Sequence, residues 1–148
     1  MKSFLPLFCI MCVFISGAAA QEAHYPAYAV MNAAYVGDVE TLRLILETDF
    51  DIDYRDLLGG TALHVAIFQH NMEVIRMLLE SGFDVNAISA YNGFTPLHYC
   101  VWTNNIDAAR LLVEYHADRT IKSNNGQTAQ EKAAREGKRD ILLVLNQR

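Results

Sequence analysis

Hydrophobic and polar positions along this chain follow two different patterns. Near the amino terminus, Phe4 to Ile15 is an unbroken apolar run apart from Pro6. Later segments place apolar residues at three- and four-residue steps, as at Val74, Ile75, Leu78 and Leu79. That spacing marks one buried face of a helix. The pattern predicts short amphipathic helices preceded by an apolar leader.

The helical segments repeat. Gly59-Gly60-Thr61-Ala62-Leu63-His64-Val65-Ala66 recurs 34 residues later as Gly93-Phe94-Thr95-Pro96-Leu97-His98-Tyr99-Cys100, and more faintly as Gly126-Gln127-Thr128-Ala129-Gln130-Glu131-Lys132-Ala133. The apolar segment beginning at Met72 aligns with Ile106 to Val113 and with Val39 to Leu46. A fixed period of this size is the mark of a stacked repeat array. Thr61, Thr95 and Thr128 stand where a hydroxyl can cap a first helix. Pro96 suits a first turn, and Thr128 with Glu131 makes a capping box. Second helices are expected after Asp38, Asn71 and Asn105, with Glu40, Glu73, Asp107 and Asp140 in first turns, where the helix dipole favours a negative charge. Gly82 supplies a left-handed helix exit. Asp49 and His116 hold the equivalent positions, so each implies either a strained left-handed turn or a different exit.

Thr61-Ala62-Leu63-His64 and Thr95-Pro96-Leu97-His98 resemble the signature of the ankyrin repeat. The resemblance extends over four units, 23–55, 56–89, 90–122 and a shorter 123–148. The first has Tyr28 in place of the signature threonine, and the last has Glu131 in place of the histidine. The expected fold is all-α, a solenoid of four stacked helix-turn-helix units with short β-turn loops. A single helix hairpin cannot bury its own apolar face, so units must stack. The outer units should then turn a polar face outward, a role that Gln130, Glu131 and Lys132 fit in the last one. The resemblance also implies that His64 and His98 tie their own turn to a neighbouring loop by hydrogen bonds.

Composition sharpens this reading. The chain has 148 residues, enough for one domain or a short array. Lys2, the apolar run and Gly17-Ala18-Ala19-Ala20 have the form of a secretory signal peptide spanning 1–20, with cleavage after Ala20. The run is shorter than the roughly 20 apolar residues a membrane span needs. A lipoprotein would need a small residue before its modified cysteine, but Phe8 precedes Cys9 and Met11 precedes Cys12. Loss of the leader leaves 21–148 as the repeat domain and Cys100 as its only cysteine, so packing alone must hold it together. Cys100 aligns with Ala33, Ala66 and Ala133 and reads as a small buried residue. A monomer is expected as long as Cys100 stays buried.

Charge is uneven. Residues 21–118 carry 4 basic and 14 acidic side chains, whereas 119–148 carry 7 basic and 3 acidic. An acidic body argues against nucleic acid as the main partner, since phosphate binding needs clustered Lys and Arg.

Candidate chemistry is sparse. His24, His70 and His116 are scattered, and the repeat histidines stand one unit apart, which gives no convergent metal set. Asp49-Phe50-Asp51-Ile52-Asp53 opens like a calcium loop but has Tyr54 where Gly is needed and Gly60 where Glu is needed. No phosphate loop, nucleophile elbow or catalytic carboxylate pair appears. The expectation is therefore no enzyme, no cofactor and no metal.

One further feature points outward. The column at the end of the first helices reads Tyr35, Phe68, Trp102 and Arg135, and the loop tips add Leu57, Leu58, Tyr91 and Phe94. Gln69, Thr103, Asn125 and Gln127 are expected as polar company. The inward positions are already taken by Leu63, Ala66, Leu97 and Cys100, which leaves the rings on an outer rim, and the ankyrin resemblance implies that this rim lines a concave groove. An apolar patch edged by polar residues suits a protein partner, and Tyr, Trp and Arg are favoured anchors. These residues point to an exported protein-binding module. Its expected workplace is the periplasm, as an immunity-type or protective inhibitor, or outside the cell, as an effector acting on a host protein. The alternatives are a structural spacer and an enzyme accessory subunit.

Overall fold

The structure, a computed structural model, describes residues 25–147. Among these residues there are eight helices and no strand: α1 (Ala29–Val36), α2 (Val39–Leu46), α3 (Ala62–Phe68), α4 (Met72–Glu80), α5 (Pro96–Thr103), α6 (Ile106–Glu114), α7 (Ala129–Arg135) and α8 (Arg139–Leu145). The expected signal peptide at 1–20 lies outside the described residues.

No helix exceeds nine residues, a length too short to be stable alone in water. Stacking supplies what length cannot. The first helices α1, α3, α5 and α7 pack in one row, and α2, α4, α6 and α8 pack in a second. Between the rows runs a continuous core that includes Leu42, Ile45, Leu63, Ile67, Ile75, Leu78, Leu97, Leu112, Ile141 and Leu145. Burying each such side chain contributes roughly 1.5–3 kcal/mol. The equivalent small residues Ala33, Ala66, Cys100 and Ala133 are all buried, and they let the first helices approach closely.

The second helices begin as the sequence implies. Asp38, Asn71 and Asn105 each accept the backbone N–H three residues on through Oδ1, at 3.0, 3.1 and 3.0 Å. Lys138 precedes α8 and makes no such bond. Tyr28, where the first unit lacks its threonine, makes no side-chain cap either. His116 does take the left-handed conformation of Gly82, with φ of 59° against 89°. Asp49 does not, so α2 leaves by a different route through Glu47 and Thr48. The first helices end on left-handed residues of their own, Gly37, His70, Asn104 and Gly137.

The loop tips are joined to one another. Tyr91 N donates to Leu58 O at 3.0 Å, and Asn124 N donates to Asn92 O at 3.0 Å. At Gly59 and Gly93 an added Cβ would sit 2.5 Å from Ala90 Cβ and from Asn124 Oδ1 respectively, and both residues have φ near +70°. Glycine is therefore needed there twice over, for its backbone angle and for the close approach of the next tip.

Two expectations about the outer units are corrected. The first unit does not present a polar outward face: Leu44 is 55% exposed, although its equivalents Leu111 and Val144 are buried, because no described unit covers it. In the last unit Lys132 is buried and not part of an outward cap. Gln130 does serve that end, donating from Nε2 to Leu145 O at 2.8 Å.

Candidate functional site

The repeat histidines show how the fold fixes the groove. Thr61 N donates to His64 Nδ1 at 3.1 Å, and His64 Nε2 lies 3.2 Å from Phe94 O in the next unit. Thr95 and His98 repeat the arrangement at 3.3 Å, with His98 Nε2 2.9 Å from Gln127 O. A nitrogen that accepts a backbone N–H has no proton, so the proton sits on Nε2 and is donated to the neighbouring carbonyl. Burial holds both rings neutral, and it lowers the His64 pKa to about 4. The histidine takes the place of the glutamate in a capping box. Thr128 and Glu131 form the ordinary box: Glu131 Oε2 accepts from Thr128 N at 2.8 Å, and Thr128 Oγ1 accepts from Glu131 N at 3.2 Å. His64 and His98 thus join each unit to the next, while Thr61, Thr95, Pro96 and Thr128 stand at the starts of their own helices.

The end-of-helix column lies open. Tyr35 is 60%, Phe68 51% and Trp102 50% exposed, and Arg135 is exposed. Phe68 and Trp102 meet at 5.8 Å between ring centres, which joins two adjacent units into one apolar surface. Tyr35 is in no ring pair, so it extends the column without closing on its neighbour. At the tips Leu57, Leu58 and Tyr91 are exposed. Phe94 differs from these. It is half-buried, stacks on His98 at 5.3 Å and meets Trp102 edge-on at 6.5 Å, so it supports the anchors more than it presents itself.

Two residues of the site are not evident from repeat position alone. Tyr99 is buried and touches His64, Phe94 and Trp102 with ring distances of 4.8, 6.1 and 5.5 Å. Burial raises its phenol pKa. Lys132, which aligns with Tyr99, places Nζ 5.2 Å from the centre of the Phe94 ring and pairs with Glu136. The column Asn32, Val65, Tyr99, Lys132 changes chemistry at every unit.

Charge is sorted between the two helix rows. Helices α1, α3 and α5 contain no Asp, Glu, Lys or Arg. Helices α2, α4 and α6 carry Glu40, Glu73, Glu80, Asp107 and Glu114 together with Arg43, Arg76 and Arg110. The helices that bear the rings are uncharged until α7, where Glu131, Lys132 and Arg135 appear.

Among the described residues no three His, Cys, Asp or Glu side chains converge as a metal site. Cys100 is fully buried, and burial pushes its thiol pKa far up. An open depression lined by Asn104, Gly137, Lys138, Arg139 and Asp140 holds no buried polar group left without a partner. No helix among the described residues is long and apolar enough to cross a membrane.

Comparison with known families matches the chain to the model described as ankyrin repeats (3 copies), over residues 9–89, 30–123 and 88–147. The first match begins within the segment expected to be a leader. No curated protein matches the chain. Repeats of this kind are general protein-protein interaction modules. Matches that together run from residue 9 to residue 147 place this chain in the ankyrin-repeat family.

Proposed function

We propose that this protein is an exported binding module without catalysis of its own, and that it holds a partner protein on its concave aromatic face. The observation that carries the proposal is the exposed Phe68–Trp102 pair, two large rings from adjacent units left in solvent although the core between the helix rows is filled. Tyr35, Leu57, Leu58, Tyr91 and Arg135 complete the surface, and Phe94 backs it. Each ring is about half exposed, so its remaining burial against a partner contributes a fraction of the roughly 1.5–3 kcal/mol of full burial. Affinity capture from the native envelope or secreted fraction tests this. Trp102→Ala and Phe68→Ala should keep the helical signal and lose the captured protein. Recovery of the same protein by wild type and Trp102→Ala would remove the groove from the account.

Export rests on the leader-like segment at 1–20. The intact mass of the exported protein should correspond to a chain that starts at Gln21, and a product that retains Met1 would contradict cleavage. An immunity-type or protective inhibitor in the periplasm and an effector acting on a host protein both use the same face. The compartment in which the captured partner resides separates the two.

A further inference from the structure

The aromatic face runs into a cationic corner, and this says what kind of partner it fits. Lys138 Nζ donates to Val101 O, and to Trp102 O at 3.0 Å, which places an ammonium at the carboxyl end of α5 beside the central ring. The partial negative charge of a helix end holds a cation there. Lys132 sits over the Phe94 ring and pairs with Glu136. The same Glu136 also meets Lys138 at 3.4 Å. Arg135, the exposed continuation of the ring column, pairs with no carboxylate among the described residues. Lys132 and Lys138 thus share one carboxylate, and Arg135 stands beside them without one.

The other carboxylates near the groove are occupied locally. Asp56 Oδ1 accepts from Leu58 N and Gly60 N, both at 2.8 Å, and Glu131 caps α7. Helices α1, α3 and α5 add no charge. At the α7 end of the ring-bearing row, Lys132, Arg135 and Lys138 stand against Glu131 and Glu136, a local net charge of +1, although the whole chain has a net charge of −5.

Resting on the reading of the concave face as a binding surface, we infer that its occupant is a polypeptide segment with apolar or aromatic anchors followed by a run of Asp or Glu. The anchors lie on Phe68 and Trp102, and the carboxylates lie against Arg135 and Lys138. Complementary charge of this kind fixes the direction in which a segment lies and repels basic competitors. It also makes capture sensitive to salt, since exposed charges are screened over about 10 Å at 0.1 M.

Selection of a random displayed peptide library on the purified protein tests the inference, with the selected peptides then measured against Trp102→Ala and Arg135→Glu. The expected result is enrichment of peptides that join apolar anchors to Asp or Glu. Their binding should be lost with Trp102→Ala and weakened about tenfold with Arg135→Glu. Enriched peptides that need Trp102 but contain no acidic run, or that bind Arg135→Glu equally well, would overturn the acidic-segment inference and leave the groove standing. Peptides indifferent to Trp102→Ala, or no enrichment at all, would overturn both. Circular dichroism of each variant confirms that it is folded.

Discussion

At the scale of single residues, the two repeat histidines carry the clearest consequence. Each accepts a backbone N–H on Nδ1 and gives its Nε2 proton to the next unit, which only the neutral ring can do. The His64 pKa falls from 6.5 to about 4 in the fold, so between those values the unfolded chain binds more protons than the folded one. The stability from the neutral ring is fully present above about pH 6.5 and is lost as pH falls towards 4. His64 alone should account for about 2 kcal/mol of lost stability by pH 5 and about 3 by pH 4, and His98 shifts in the same direction. Urea denaturation midpoints measured at pH 7.5 and pH 5 check this. An unchanged midpoint would mean that the histidines are protonated in the fold or do not link the units.

Elements are held by what their neighbours supply as much as by their own sequence. The helix starts at Asp38, Asn71, Asn105 and Thr128 are legible in the sequence, because a cap needs only one side chain and a backbone N–H three positions away. The role of His64 as the partner of Thr61 needs more, since the ring is set by Phe94 O of the following unit as well as by its own turn. Lys132 reads as an outward cap in the sequence and is buried in the structure, because Phe94 arrives from the preceding unit and Glu136 from the end of the same helix to cover it. Left-handed exits at His70 and Asn104 carry no glycine to announce them. The tips, by contrast, do use glycine. Gly59→Ala should destabilise the fold by roughly 1–3 kcal/mol, through both its positive φ and the approach of Ala90. Gly126→Ala shares the positive φ but meets nothing within 4 Å, so thermal melts should show the smaller loss. Equal losses would argue against tip-to-tip contact as a determinant of the array.

On the scale of the molecule, stacking separates two surfaces with different chemistry. The second-helix row bears exposed charges of both signs, with a small acidic excess. The first-helix row is neutral and ring-bearing, and it becomes cationic where α7 follows α5. The ring column is legible in the repeat itself, since Tyr35, Phe68 and Trp102 share one position. Its division into exposed anchors and a supporting stack is not. That depends on Tyr99 and Phe94 filling the space between units, which no single repeat specifies.

Trp102 is the only tryptophan in the chain and stands half exposed at the centre of the proposed surface, so its fluorescence reports directly on the central claim. The decisive measurement is acrylamide quenching of Trp102, labelled as 5-hydroxytryptophan to distinguish it from the partner's own rings, during titration with the captured partner. The account requires an accessible indole in the free protein and a loss of quenching that saturates together with binding. Saturated binding with Trp102 still as open to acrylamide as in the free protein would contradict it.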